Sequence, residues 1–317
     1  MALRFTLRQL EYFVAVGNAG SIARAASRVN VSSPSISTAI SQLEDEFGLS
    51  LFVREHARGL SLTPAGNELM KHAEKLLIDA KQLNNLANIM SGNIRGQLRI
   101  GCLLTFAHLV LPGIRRTFEH AHPDVRITQM ELHQLEIFEH LRRAEIDLAL
   151  SYDLDIPTDL AFLPLLELPP YALVNTTHPL AESTTVSITD LQDLPMILLD
   201  LPHSSSYFIS LFSKVGAKPV IAERTKDMAV MRSLVANGFG YSIANTRPQN
   251  DHSPDGKKLR FIPLSGDVRP MKLGIITRDG AQDTLTVKAF VEHCKTSITD
   301  ENLPGINIAR QPHTRRR

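Results

Sequence analysis

Residues 21–47, SIARAASRVNVSSPSISTAISQLEDEF, decide how this chain is read, together with the basic loop FVREHARGLSLT at 52–63. Ser21 is a good N-cap after Asn18-Ala19-Gly20, and Ile22, Ala25, Ala26 and Val29 recur at the spacing of one buried helix face. Two of those four are alanines, so a neighbouring helix can approach closely. Asn30 ends this helix and Val31 makes the turn. Ser33 is expected to cap the next helix, with Pro34 at its first position, where a missing N–H costs nothing. Ile36, Ile40, Leu43 and Phe47 form its apolar face, and Gly48 stops it. The opposite face carries Ser35, Thr38, Ser41 and Gln42, small polar groups suited to base edges and phosphates.

The flanks extend the pattern. Leu7, Leu10, Phe13 and Val14 supply a third apolar stripe, enough to close a three-helix core. Phe52–Arg54 and Leu60–Leu62 read as two short strands whose hairpin carries Arg54, His56 and Arg58. Arginines on such a wing reach phosphates or the minor groove. The residues expected to face DNA are therefore Ser21, Ser32, Ser33, Pro34, Ser35, Ser37, Thr38, Ser41, Gln42, Arg54 and Arg58.

Residues 3–66 resemble the N-terminal domain of LysR-type transcriptional regulators, through LRQLEYFVAV, GSIARAASRVNVSSPSIS, the QLEDEFG helix end and LFVREHARGLSLTPAG. The downstream organisation also fits that family, over about the first 300 residues. One departure concerns the recognition face: Thr38, Ala39 and Ser41 stand where the family usually carries long polar or basic residues.

From Thr63, a cap followed by Pro64, the pattern becomes one long helix. Leu69, Leu76, Leu83 and Met90 repeat every seven residues, with Ala73, Ala80 and Ala87 between them, the layering of a coiled-coil seam. These seven residues are the expected dimerisation contacts. Packing on its own domain is the alternative for this helix. A dimer would present the DNA-reading unit twice. Ser91-Gly92-Asn93 and Gly96 read as a hinge.

Beyond the hinge, strands are expected at 97–102, 125–132, 147–151, 171–175, 196–199, 220–223 and 241–244, with helices at 106–120, 135–144, 207–215 and 228–237. That is a mainly parallel α/β pattern. No GxGxxG or P-loop supports nucleotide binding. The resemblance implies an effector domain with the fold of type 2 periplasmic binding proteins, two lobes enclosing a ligand cleft. The expected fold class is thus α/β: an N-terminal winged helix-turn-helix over 1–63, a linker helix over 64–91 and an effector domain over 92–300. Lobe 1 takes about 97–165 and 265–300, lobe 2 about 166–264, and 301–317 reads as a disordered tail. The chain would leave lobe 1 near Leu165 and return near Leu264. In such folds ligands collect where strands run into helix N-termini. The expected effector contacts are Cys102, Leu103, Leu104, Thr105, His133, His203, Ser204, Ser205 and Thr225. The hydroxyl-rich helix starts suit a small carboxylate.

Composition narrows the alternatives. The net charge of the 317 residues is only +1, so any basic footprint is local. Two cysteines, Cys102 and Cys294, make a disulfide framework unexpected and fit a reducing cytosol. A thiol redox switch through them is one alternative function, although the cysteine pair of the family's peroxide sensors has no counterpart in lobe 2. An enzyme on a binding-protein fold is the other. Against it, the histidines lack metal-ligand spacing, Ser204–Ser206 lack a GxSxG elbow, and Asp153, Asp155 and Asp159 do not form a calcium loop. No apolar run approaches the roughly 18 residues that span a bilayer. The reading is a cytoplasmic, nucleoid-associated regulator without cofactor or metal. Its expected partners are a double-stranded DNA operator, a small-molecule effector, further copies of itself as a dimer of dimers, and RNA polymerase.

Overall fold

The computed structural model describes residues 4–55, 59–91, 94–279, 284–299 and 303–307. They fall into two compact units, 1–91 and 92–317.

In the first unit, α1 (Leu7–Ala19), α2 (Ile22–Val29) and α3 (Ser33–Phe47) are followed by β1 (Phe52–Glu55), β2 (Gly59–Leu62) and α4 (Pro64–Ser91). Helix α1 starts from a capping box in which Thr6 and Gln9 satisfy each other's backbone N–H. Gly20 and Asn30, both left-handed, end α1 and α2. The cap of α3 differs from expectation. Ser32, not Ser33, accepts the Ser35 N–H, and Pro34 is the second helical residue.

The core gathers Leu10, Phe13 and Val16 of α1, Ala25 of α2, and Ile36, Ile40 and Leu43 of α3. Val16 replaces Leu7, which is 46% exposed. Strands β1 and β2 pair antiparallel from Phe52–Leu62 to Glu55–Gly59, forming the wing. Phe13 meets Phe52 edge-on at 5.6 Å. Glu44 accepts the backbone N–H groups of Leu51 (2.7 Å) and Phe52 (3.3 Å), and so ties the end of α3 to the wing. Thr63 caps α4 through the Gly66 N–H at 2.8 Å. A Cβ at Gly66 would lie 2.1 Å from the Leu51 carbonyl oxygen, so the backbones meet there only because the residue is glycine.

In the second unit, lobe 1 is a five-stranded sheet of order β4-β3-β5-β12-β6. Its elements are β3 (Gly96–Leu103), α5 (Leu104–Ala107), α6 (Leu111–Ala121), β4 (Val125–Leu132), α7 (Gln134–Arg142), β5 (Leu148–Tyr152), β6 (Leu160–Leu168), β12 (Met271–Arg278) and α11 (Leu285–Ser297). Lobe 2 comprises β7 (Tyr171–Asn175), α8 (Ile188–Leu191), β8 (Pro195–Leu199), α9 (Ser204–Ser213), β9 (Val220–Thr225), α10 (Met228–Ala236), β10 (Ser242–Ala244) and β11 (Leu259–Pro263). There β10-β7-β11 are antiparallel and β8-β9 parallel, joined by a bridge from Met196 to Tyr241.

Several expectations for this unit need correction. The sheets are mixed rather than mainly parallel, because β12 runs antiparallel to both β5 and β6. The helix expected over 106–120 is two, α5 and α6. Pro112 lacks an N–H and its ring would clash with the carbonyl four residues back, so helix cannot run through it from Phe106. Strand β6 contains Pro164, which is tolerated because β6 is the sheet edge and the register shifts opposite it, between Leu273 and Gly274. The chain passes from lobe 1 to lobe 2 between Leu168 and Tyr171, and returns between Pro263 and Met271. Residues 303–307 are not a loose tail. Leu303 and Ile306 are buried, and Ile306 bridges Pro248. Residues 308–317 lie outside the described residues.

Candidate DNA-reading surface and effector cleft

On α3 the apolar stripe turns inward, which leaves Ser32, Ser33, Pro34, Ser35, Ser37, Thr38, Ser41 and Gln42 exposed on the other side. Ala39 belongs to the inward stripe at 6% exposure, not to the outer face. Ser32 and Ser35 share a hydroxyl hydrogen bond of 2.7 Å. Ser21, half-buried, caps α2 by accepting the Arg24 N–H at 3.5 Å. Of the wing arginines, Arg58 lies outside the described residues, and so does the side chain of Arg54. Exposed Arg8 on α1 and Arg24 and Arg28 on α2 were missed by the sequence reading. They are permanent cations in the same unit as α3.

Gln42, read as one of the polar residues of the DNA-facing side, also has a partner within the unit. The side-chain amide of Gln9 donates to Gln42 Oε1 at 2.8 Å. The Thr-x-x-Gln capping-box spacing before α1 was the available signal for Gln9.

The long helix divides along its length. Ala73 is buried, and Leu69, Met70 and Leu77 pack with it against the core of α1–α3. The N-terminal part of the expected seam is therefore committed to its own unit. Farther along, Leu76 is 42% and Leu83 70% exposed, with Ala80 half-buried. The side chains of Ala87 and Met90 lie outside the described residues.

In lobe 1, Cys102, Leu103 and Thr105 are buried, and of the four consecutive expected contacts 102–105 only Leu104 is exposed. Thr105 sits inside the four-residue α5 rather than capping a longer helix, so it does not present helix N–H groups as expected. His133 precedes α7 in a capping box with Glu136, its N–H donating to Glu136 Oε2 at 2.8 Å and its side chain facing the Glu136 N–H. In lobe 2, His203 precedes α9, with Ser204 buried and Ser205 half-buried behind it. The Thr225 hydroxyl accepts the Asp227 N–H at 3.2 Å, a local turn.

Of these residues, His203 makes the lobe-to-lobe contact. Its Nδ1 lies 2.5 Å from Asp155 Oδ2, in the loop after β5, and its ring lies 6.3 Å from Phe138 of α7. The His203 Nε2 atom is buried without a partner among the described residues.

Behind this contact runs a polar seam that the sequence reading did not find. Tyr152 Oη meets Thr246 Oγ1 at 2.5 Å, and Tyr171 donates to the Thr246 carbonyl at 2.7 Å. Asn245 donates to the Leu168 carbonyl (2.7 Å) and to Tyr207 Oη (3.2 Å), and Tyr207 donates to the Arg269 carbonyl at 2.5 Å. Arg269 pairs with Asp153 at 2.7 Å. Burial pushes the Tyr207 hydroxyl up to about 12, so it remains a donor throughout the neutral range. The seam sits where the chain crosses between lobes, so it belongs to the hinge.

Both cysteines are buried and free. Burial pushes both thiols up, and for Cys102 the Glu131 carboxylate adds to the effect. A disfavoured thiolate is the opposite of what a redox sensor needs.

Comparison with known proteins agrees with this organisation. Residues 7–67 match the family model described as "Bacterial regulatory helix-turn-helix protein, lysR family", and residues 91–298 match "LysR substrate binding domain". The crystal structure of HinK, a LysR family transcriptional regulator from Pseudomonas aeruginosa, is 36% identical, with a TM-score of 0.64 over 93% of this chain and 99% of that one. The transcriptional regulator CysB of Haemophilus influenzae is 29% identical over 92% of this chain and 91% of its own. A full-length OxyR variant from Pseudomonas aeruginosa shares the fold, with a TM-score of 0.69 at 23% identity, covering 93% of this chain and 98% of that one.

Proposed function

The chain belongs to the LysR family of bacterial transcriptional regulators, and from that premise we propose how its parts divide the work. The α3 face reads the major groove through Ser33, Ser35, Ser37, Thr38, Ser41 and Gln42, while Arg54, Arg58 and the arginines of α1 and α2 hold phosphates. Exposed Leu76 and Leu83 pair two copies along α4, and contacts between effector domains join two such dimers. The protein works in the cytoplasm on the nucleoid, contacts RNA polymerase, and performs no catalysis.

The effector is a small organic acid held between the lobes beside His203 and His133. One observation carries this reading: the Asp155 carboxylate already lies on His203 Nδ1 across the cleft, so the site accepts a carboxylate. The buried His203 Nε2, without a partner among the described residues, offers a further polar contact. Leu104, partly exposed, adds apolar surface for a hydrocarbon or aromatic part.

Two measurements test this. A genome-wide map of bound sites identifies operators, and scattered binding without a shared sequence counts against specific recognition. Calorimetric titration with a panel of small organic acids then tests the effector class. Heat with uncharged analogues only would overturn the carboxylate assignment.

A further inference from the structure

Three side-chain contacts at the start of α1 bear on how α3 reads DNA. The backbone N–H of Thr6 donates to Gln9 Oε1 at 2.8 Å, and the Thr6 hydroxyl donates to the same oxygen at 3.1 Å. A backbone N–H is only a donor, so the Gln9 oxygen must face Thr6. The Gln9 NH2 group then points the other way, where it donates to Gln42 at 2.8 Å. An NH2 group has no acceptor capacity, so Gln42 must answer with its oxygen. Its own NH2 is left as the free end of the amide, on the exposed face that also carries Ser35 and Thr38, at seven- and four-residue spacing on one helical stripe.

We propose that Gln9 is a specificity-determining positioning residue: through the α1 capping box it fixes the direction of the Gln42 amide, so that Gln42 offers DNA a hydrogen-bond donor and not an acceptor. This rests on the reading of α3 as the DNA-reading helix. A free glutamine pairs with adenine through both ends of its amide, accepting from N6 and donating to N7. With its oxygen held by Gln9, Gln42 favours base edges rich in acceptors. On the contacted strand these are guanine, through O6 and N7, or thymine, through O4. One net hydrogen bond is worth about 1 kcal/mol, so the preference expected is about fivefold.

The same geometry supplies a reversal. Glutamate is the usual partner in a capping box, so Gln9→Glu keeps the Thr6 N–H satisfied and the helix start intact. A carboxylate cannot donate, however. The Gln42 amide must turn its NH2 towards residue 9 and present its oxygen to the groove. The preferred base then changes to one presenting a donor there, cytosine through N4 or adenine through N6.

The experiment is selection of binding sites from a random DNA library by the full-length protein, its Gln9→Glu variant and a Gln42→Leu variant. Circular dichroism confirms that each is folded. The expected result has three parts. The wild type shows a guanine or thymine preference at one position of each half-site, Gln42→Leu loses it, and Gln9→Glu replaces it with cytosine or adenine while other positions keep theirs. A merely structural role for Gln9 would lower affinity without exchanging one base for another. If Gln9→Glu keeps the wild-type preference while Gln42→Leu abolishes it, Gln42 reads DNA but Gln9 does not orient it, and the proposal fails. If Gln42→Leu keeps every preference, Gln42 reads no base and the proposal fails, with α3 recognition by other residues intact. If the wild type selects no sequence at all, the assignment of α3 as a specific reader fails with it.

Discussion

His203 of lobe 2 and Asp155 of lobe 1 hold each other from one lobe to the other, Nδ1 to Oδ2 at 2.5 Å, and both sit at positive φ (64° and 46°). Positive φ at non-glycine residues costs energy unless the surroundings enforce it, and such residues concentrate where a site is held ready. Asp155 is largely solvent-exposed, and exposed pairs contribute only about 0–1 kcal/mol to stability. Asp155→Asn should therefore leave the thermal midpoint almost unchanged while tightening the binding of a carboxylate effector, which no longer competes with it. Calorimetric titration measures this, and equal affinities in the two proteins would remove the competition.

The α4 seam makes a second prediction. Leu83 is 70% exposed and lies beyond the stretch of α4 that packs on α1–α3. Leu83→Glu should lower the association state in sedimentation velocity without loss of helix content. An unchanged sedimentation coefficient would assign dimerisation to other surfaces.

The thiols provide a third. Burial disfavours both thiolates, so neither Cys102 nor Cys294 should react with a chromogenic disulfide reagent in the native protein between pH 7 and 9. Both should react after denaturation. Replacing both by serine should leave any response to peroxide as it was, and loss of such a response would restore the redox alternative.

The end of the chain provides a fourth. Leu303 and Ile306 are both nearly fully buried. A chain ending at Asn302 removes two buried aliphatic side chains, each worth about 1.5–3 kcal/mol, so urea unfolding should show a loss of about 3 kcal/mol or more. Equal stability of the shorter chain would show that the 303–307 segment contributes nothing.

A fifth concerns pH. Burial lowers the proton affinity of His178 and His293 below the ordinary histidine value of 6.5. His178 Nδ1 accepts the Leu180 N–H at 3.2 Å, which also requires the neutral ring. With the folded pKa below the unfolded one, the unfolded chain takes up protons first as pH falls. The contribution of these rings is full above about pH 6.5 and is lost as pH drops through the folded values. His293→Gln should flatten the stability profile between pH 7 and 5, and an unaltered slope would show that His293 does not titrate in that range.

Much of the DNA-binding unit was legible in the sequence because its signals are local. Ser21, Asn30, Gly48 and Thr63 act where their residue types direct. The shift of the cap from Ser33 to Ser32 turns on two adjacent serines, which sequence alone does not rank. Leu7 has the stripe's spacing but lies in the first turn of α1, where it is 46% exposed, while Val16 is buried. In the second unit β6 and β12 went unread because Pro164 looks like a strand breaker and Gly274 like a loop. Only their pairing explains both: a Cβ at Gly274 would lie 2.3 Å from the Phe162 ring of the facing strand. The hinge seam was illegible for a related reason. Thr246 and Tyr152 are far apart in sequence, and neither carries a pattern until the crossing brings them together.

Helix α4 shares the core of the reader through Ala73 and its neighbours, so reader and rod move as one piece. At 28 residues the rod is about 42 Å long. Tilting it by about 5° at the far end carries the reader through about 3.7 Å, close to the roughly 3.4 Å rise of one base pair. A tilt too small to alter any fold is thus, at the end of an arm this long, the length of a whole step along DNA.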